Sequence, residues 1–325
     1  MNKSGHERYF FAIFCSSLLA TILAAVPAFG GIEVRYLYDL SNFNGMIPYS
    51  WAKIAVDEER NETYVLYQDT VSVFNEAGME VYSFRDVDTN LGLLLDLAVL
   101  PDGDILTLAA NLTDPKKAGY HVTLRNYRGD AVSEVVLKGL PPKFSRFSPR
   151  RMVYREGLLY FADPEGLQIV VTDLDGRCRR GYDVRPLLDL KPKDQDRGSV
   201  TFSGFTVDRR GNMVFTIDVL FHAYALAPDG TTLKEFGQAG SLPGRFNIAG
   251  GIAMDNKGDY IVSDLLKGAV QVFDKNYNFV TIFGDWDGRA GSLRLPNDVA
   301  VNKNDLVYVS QGAGRGVSVY RIAYN

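Results

Sequence analysis

Apolar and polar residues alternate along most of this chain with a period of two, and the alternation breaks at regular intervals. The stretch "KIAVDEERNETYVLY" (residues 53–67) reads as a half-buried strand, a polar turn and a second strand, because successive strand side chains point to opposite faces. Five further segments share the pattern: residues 96–109, 151–163, 204–218, 251–264 and 298–310. Their first residues lie 43–55 apart, the spacing of propeller blades. Most continue into a third and fourth strand, as in "HAYALAPDGTTLKEFG" (222–237) and "VQVFDKNYNFVTIFG" (270–284).

Four strands per unit and six units predict an all-β, six-bladed β-propeller with four-stranded antiparallel blades. The last unit ends at "VSVYRIAYN" with three strands, whereas Gly31–Leu40 ("GIEVRYLYDL") is a strand without a blade. The pattern therefore predicts that Gly31–Leu40 pairs with Val317–Ile322 and closes blade 6, leaving no open edge in the ring.

The first stretch stands apart. Lys3 and Arg8 precede an apolar run from Tyr9 to Val26, and Val26-Pro27-Ala28 offers small residues for cleavage. This is the layout of a secretory signal peptide over residues 1–28, so the expected product is an exported protein, periplasmic or extracellular, with one domain over 29–325. The run is also just long enough to be a retained anchor. No later segment is long and apolar enough to span a membrane. Beyond residue 28 the net charge is −5, which argues against nucleic acid as a partner. Cys178 is the one cysteine beyond the apolar run, so no internal disulfide is expected.

At the repeat level the chain resembles the NHL-repeat family of six-bladed, TolB-like propellers. The residues that carry the resemblance are Gly251-Ile252-Ala253-Met254-Asp255, Gly258, Tyr260-Ile261-Val262, Asp264 and Val270-Gln271-Val272-Phe273, together with the linker "FGQAGSLPGRF" (236–246). Blades 5 and 6 fit well, blades 1 and 4 moderately, blades 2 and 3 poorly. The resemblance speaks mainly to fold. Exported members of the family sometimes accompany multihaem cytochromes, which implies a scaffold role. The chain itself has no Cys-x-x-Cys-His for haem attachment.

Chemistry is expected where the inner strands open onto the central channel. The openers form a ring of Lys53, Asp96, Arg151, Gly204, Gly251 and Asp298, with Asn297 beside the last. Such a mouth can take a polar small molecule or a charged side chain of a protein partner. Propeller lactonases hold a divalent cation with carboxylate and amide oxygens; Asp96, Asn297 and Asp298 are the matching donors here, opposed by Lys53 and Arg151. Zinc-dependent amidating lyases need more histidine than His121 and His222 provide. "DLDG" and "DWDG" read as hairpin turns, "GAGRG" (312–316) as a blade loop, and no nucleophile elbow or phosphate loop is present.

Two further features stand out. Residues 138–185 carry a net charge of +4, so Arg146, Arg150, Arg177, Arg179 and Arg180 are a candidate basic docking face for a protein partner. Cys178 lies among those arginines, which favour the thiolate and make it a candidate reactive or intermolecular thiol. The expectation is a non-catalytic, exported interaction propeller without a cofactor. The other reading is a metal-dependent lactonase or hydrolase, and only there does a divalent cation enter.

Overall fold

The strands stop where an Asp or Asn meets a glycine or a second polar residue, and the turns show why. Asp57 Oδ1 accepts from the backbone N–H of Glu59 and Arg60, both at 2.9 Å. Asp208 Oδ1 accepts from Arg210 and Asn212 at 2.8 and 2.9 Å, and Asp255 Oδ1 from Lys257 and Asp259 at 2.9 Å. Asn302 Oδ1 accepts from Asn304 and Leu306 at 3.0 Å. In each case a short side chain imitates the next residue of the ladder and satisfies turn N–H groups that would otherwise lack a partner. Gly211 and Gly258 complete two of these turns with φ of +76° and +88°, where a Cβ would be strained.

The computed structural model describes residues 31–85, 92–111, 119–188, 190, 200–285 and 287–324; the expected signal segment, residues 1–28, lies outside them. Residues Ile32–Asn325 belong to one compact unit. Its strands form six four-stranded antiparallel sheets. The inner strands are Lys53–Asp57, Leu93–Val99, Arg151–Arg155, Phe205–Val207, Ala249–Met254 and Pro296–Val301.

Apolar clusters lie between consecutive sheets. Tyr64, Leu66 and Val73 of blade 1 meet Leu97 and Ile105 of blade 2, which in turn packs through Leu106 and Leu108 on Phe161 of blade 3. The series continues between blades 3 and 4, 4 and 5 and 5 and 6. Tyr308 and Val319 of blade 6 return to Val65 and Phe74 of blade 1. The core is therefore a ring of blade interfaces, and the architecture is a six-bladed β-propeller.

Closure follows the sequence expectation. Ile32–Asp39 pairs antiparallel with Val317–Tyr324, with Ile32 opposite Tyr324 and Tyr36 opposite Tyr320, and becomes the outer strand of blade 6. The Tyr36 and Tyr320 rings meet edge-on at 5.7 Å. Leu40 N–H then donates to Val317 O at 2.9 Å.

Three inner strands begin earlier than their sequence pattern implies. A bulge falls between Leu94 and Asp96, between Ala249 and Ile252, and between Pro296 and Asp298. Asp96, Gly251 and Asp298 thus lie at or just past a bulge rather than opening a strand. A bulge re-aims the side chains beside it, which matters for the two carboxylates below. A short hairpin, Ser41–Asn42 with Gly45–Met46, breaks no alternation and so went unpredicted. Phe43 at its tip is 98% exposed.

Candidate functional site

The repeat register brings the first positions of the inner strands to one end of the channel. Below this mouth the cavity, about 210 Å³, is walled by Ala55, Val99, Val153, Ile252 and Ala300. Lys53, Asp96, Arg151 and Asp298 act on one another there, as their mutual electrostatic influence shows. Asp96, Arg151 and Asp298 line this cavity, and all four residues are half-buried by area.

The two carboxylates clasp neighbouring blades. Asp298 Oδ2 accepts from Ile54 N–H at 3.2 Å, tying blade 6 to blade 1. Asp96 Oδ2 accepts from Met152 N–H at 2.9 Å, tying blade 2 to blade 3, while its Oδ1 takes Leu97 N–H at 3.0 Å. Arg151 reaches across to blade 4 and donates from Nη2 to Ser203 O at 2.9 Å. Lys53 is different: its ammonium makes no hydrogen bond and no ion pair within 4 Å among the described residues.

Burial and the Arg151 charge lower the Lys53 ammonium to about 8, against the pull of Asp298 and Asp96. Burial raises Asp96 to about 6, opposed by Arg151, Lys53 and the Met152 N–H. Asp255, at an inner-strand end in blade 5, is also raised to about 6, chiefly by burial. A carboxylate whose folded-state pKa lies above its unfolded value holds more protons when folded, so stability falls as pH rises from about 4 to 6. Conversely, Asp173, Asp229 and Asp274 are lowered by hydrogen bonds and lose their contribution below their unfolded values. Urea unfolding is therefore expected to show maximal stability near pH 4 and a decline from there to pH 6. A monotonic rise from pH 5 to 8 would contradict these assignments.

Blades 4 and 5 leave the ring bare. A Cβ on Gly204 would stand 2.5 Å from Gly250 O, and one on Gly251 2.7 Å from Asp298 Cα. Packing between blades demands these glycines. Gly251→Ala is expected to lower stability by about 2 kcal/mol, measured by urea unfolding; an unchanged midpoint would contradict the close approach. The second strands of blades 4 and 5 fill the gap with hydroxyls: Thr216 Oγ1 donates to Gly250 O at 2.5 Å and Ser263 Oγ to Gly251 O at 3.4 Å. Sequence reading missed this second layer, although its signal was Thr or Ser on the strand opposite each glycine.

Asn297 has a buried Oδ1 without a partner, the one feature here that favours a cation. The rest of the donor set does not fit one. Asp96 and Asp298 already accept backbone N–H groups, and Lys53 and Arg151 share the mouth with them. Among the described residues no group of three or more His, Cys, Asp or Glu could hold a metal ion. His222 stands apart from the mouth in blade 4, its Nδ1 2.5 Å from Leu220 O.

The five arginines do not form one surface. Arg146 and Arg150 precede the inner strand of blade 3, at the mouth end. The register sets Arg155 opposite Leu158, and the adjacent Leu159 opposite Thr172 and hence Cys178, so Arg177 lies at the far end. Arg150 pairs with Glu165 at 3.3 Å and Arg179 with Asp173 at 2.8 Å, while Arg180 donates to Pro228 O at 3.2 Å. Cys178 also departs from expectation. It packs against the cluster between blades 2 and 3, and burial pushes its thiol up, because Arg179 and Arg180 point to other partners. Native Cys178 should react with a disulfide reagent at least about tenfold more slowly than the unfolded chain; equal rates would restore a reactive role.

Exposed apolar residues occur at both ends. At the mouth end Trp51 precedes Lys53, Leu93 starts the blade 2 inner strand and Leu266 lies in the turn between the second and third strands of blade 5, whereas Tyr127 and Leu174 lie in turns at the opposite end.

No family model matches the chain. It is 32% identical to Protein brain tumor of Drosophila melanogaster over 88 residues, 26% of this chain and 8% of that protein, and so spans a small fraction of that relative. Among solved structures, a protein of unknown function from Bacteroides thetaiotaomicron matches with TM-score 0.66 at 14% identity, over 90% of this chain and 76% of that one. A catalytically inactive variant of virginiamycin B lyase from Staphylococcus aureus, solved with quinupristin, matches with TM-score 0.53 at 14% identity over 89% and 88%. A gluconolactonase of Xanthomonas campestris matches with TM-score 0.55 at 14% identity over 91% of each chain. At these identities the likeness shows the fold alone.

Proposed function

We propose that this chain is an exported, NHL-type binding propeller whose charged mouth receives an acidic group of a protein partner. The observation that carries the reading is Lys53. Asp96, Asp298 and Arg151 each hold a backbone group of a neighbouring blade, and among the described residues the Lys53 ammonium has no hydrogen-bond or ion-pair partner. Trp51, Leu93 and Leu266 add exposed apolar surface at the same end of the channel, a composition that suits a protein interface. Among the described residues, the shortage of metal donors and the engagement of both carboxylates weigh against a metal-dependent lactonase, despite the gluconolactonase and lyase among the fold neighbours. The apolar run and small-residue site of residues 1–28 support export.

The test is affinity purification of the tagged protein from its native envelope fraction, with Lys53→Met beside the wild type. Lys53→Met should leave the unfolding midpoint unchanged or higher, since it removes a buried unpaired charge. A stoichiometric partner on the wild type, reduced at least about tenfold on Lys53→Met, is the expected result. Equal capture would remove Lys53 from the site. Hydrolysis of a lactone that depends on added divalent cation and is lost on Asp298→Ala would establish the enzyme instead.

A further inference from the structure

The fifth position of each inner strand is a structural one. Counting from Lys53, Asp96, Arg151, Gly204, Gly251 and Asp298, it holds Asp57, Leu100, Arg155, Asp208, Asp255 and Asn302. In four blades that residue caps its turn, as described above. Blade 3 reverses the charge. Its hairpin has shrunk to Glu156 and Gly157, both with positive φ (+49° and +79°), and no longer needs a cap. Arg155 is thereby released from the turn, and nothing else takes it up. It makes no hydrogen bond or ion pair among the described residues, and its Nε is buried without a partner. A buried donor left unpaired is costly and calls for a bound group.

Arg155 lines the channel and also a second pocket of about 300 Å³ at the end opposite Lys53, a size suited to a small ligand. Glu58, Glu59, Tyr154 and Glu156 share that pocket. The three glutamate side chains have no hydrogen-bond or ion-pair partner among the described residues, in contrast to Asp57, which holds Arg60 at 3.0 Å. Glu156 also occupies a left-handed backbone position that Gly or Asn tolerates better. A strained, unpaired carboxylate beside an unpaired guanidinium is a pattern found at binding sites.

From this arrangement we infer a second site, independent of the Lys53 mouth, that binds a small zwitterion of the α-amino acid class. Its carboxylate pairs with the Arg155 fork, which matches two oxygens at once. Its ammonium lies among Glu58, Glu59 and Glu156, and its side chain points into the channel along Val56 and Val99. The excess of carboxylates selects against simple anions, and Arg155 against simple amines.

The test is calorimetric or NMR titration of the purified protein at pH 7 with the common L-amino acids, with propionate and propylamine as the two half-molecules. At least one amino acid should bind ten times more tightly than either half-molecule. Arg155→Gln should weaken that binding at least tenfold. Glu156→Gly should raise the unfolding midpoint by relieving the positive φ, and should weaken the amino acid more than propionate; this variant keeps the test open if Arg155→Gln does not fold. Binding of propionate as tight as any amino acid, no detectable amino acid binding, or indifference to both substitutions would each overturn the site.

Discussion

A chain that begins at Ser41 should fail to give a folded monomer. Removing residues 31–40 takes away the outer strand of blade 6 and exposes the edge of Val317–Tyr324, whose Val317, Val319, Tyr320 and Ile322 are buried in the closed ring. It also uncovers the cluster between blades 5 and 6, against which Ile32, Val34 and Tyr36 pack. Elsewhere in the four-stranded sheets, strands are consecutive in the chain; among the described residues this is the one strand pairing that joins the two ends of the domain. The loss should reach the whole folding free energy, roughly 5–15 kcal/mol for a domain, and the exposed edge invites association. The expected outcome is loss of the cooperative thermal transition and elution as soluble aggregate. A synthetic peptide of residues 31–40 added during refolding should restore part of the monomer. A truncated chain that melts cooperatively at the wild-type temperature would show that the ring does not depend on this closure.

Asp298→Ala is the point substitution with the largest expected effect. The carboxylate holds Ile54 N–H across the junction of blades 6 and 1 and offsets the positive charge of Lys53. Its removal leaves that N–H unpaired and Lys53 facing Arg151 with Asp96 as the remaining counter-charge. Breaking one side of a buried charged arrangement costs about 3 kcal/mol. The cause can be separated from a simple packing loss: Lys53→Met in the Asp298→Ala background should recover part of the deficit, because it removes the uncompensated cation. Strict additivity of the two substitutions would show that the charges are not coupled.

Much of the fold could be read from the sequence because each blade repeats the same local physics. An Asp or Asn that caps a turn, with Gly or Asn at the left-handed positions, marks strand ends wherever it occurs, so residues 57, 208, 255 and 302 were visible as punctuation. The unmatched strand at Gly31 and the missing strand at the end of blade 6 predicted closure by simple counting. The mouth was legible for the same reason, since equivalent repeat positions share one level of the channel. What Asp96 and Asp298 do there was not legible. Their backbone partners lie 56 and 244 residues away in the chain, and the bulges that aim them leave no mark in the alternation. The basic run around Cys178 misled because nearness in sequence is not nearness of side chains: strand geometry sends Arg179 and Arg180 to Asp173 and Pro228. Arg155 was in plain sight as the one cation among these positions, but its meaning required knowing that Asp57, Asp208, Asp255 and Asn302 are all engaged in their turns.

The most direct test of the mouth as the functional end is site-specific photo-crosslinking in cells that express the protein. A photoreactive phenylalanine analogue replaces Trp51, 48% exposed and two residues before Lys53, or Tyr127, 61% exposed in the turn between the third and fourth strands of blade 2 at the opposite end. The account predicts one crosslinked partner from position 51, diminished by Lys53→Met, and none from position 127. The same partner from position 127 alone would place the interaction on the other end of the propeller and contradict it.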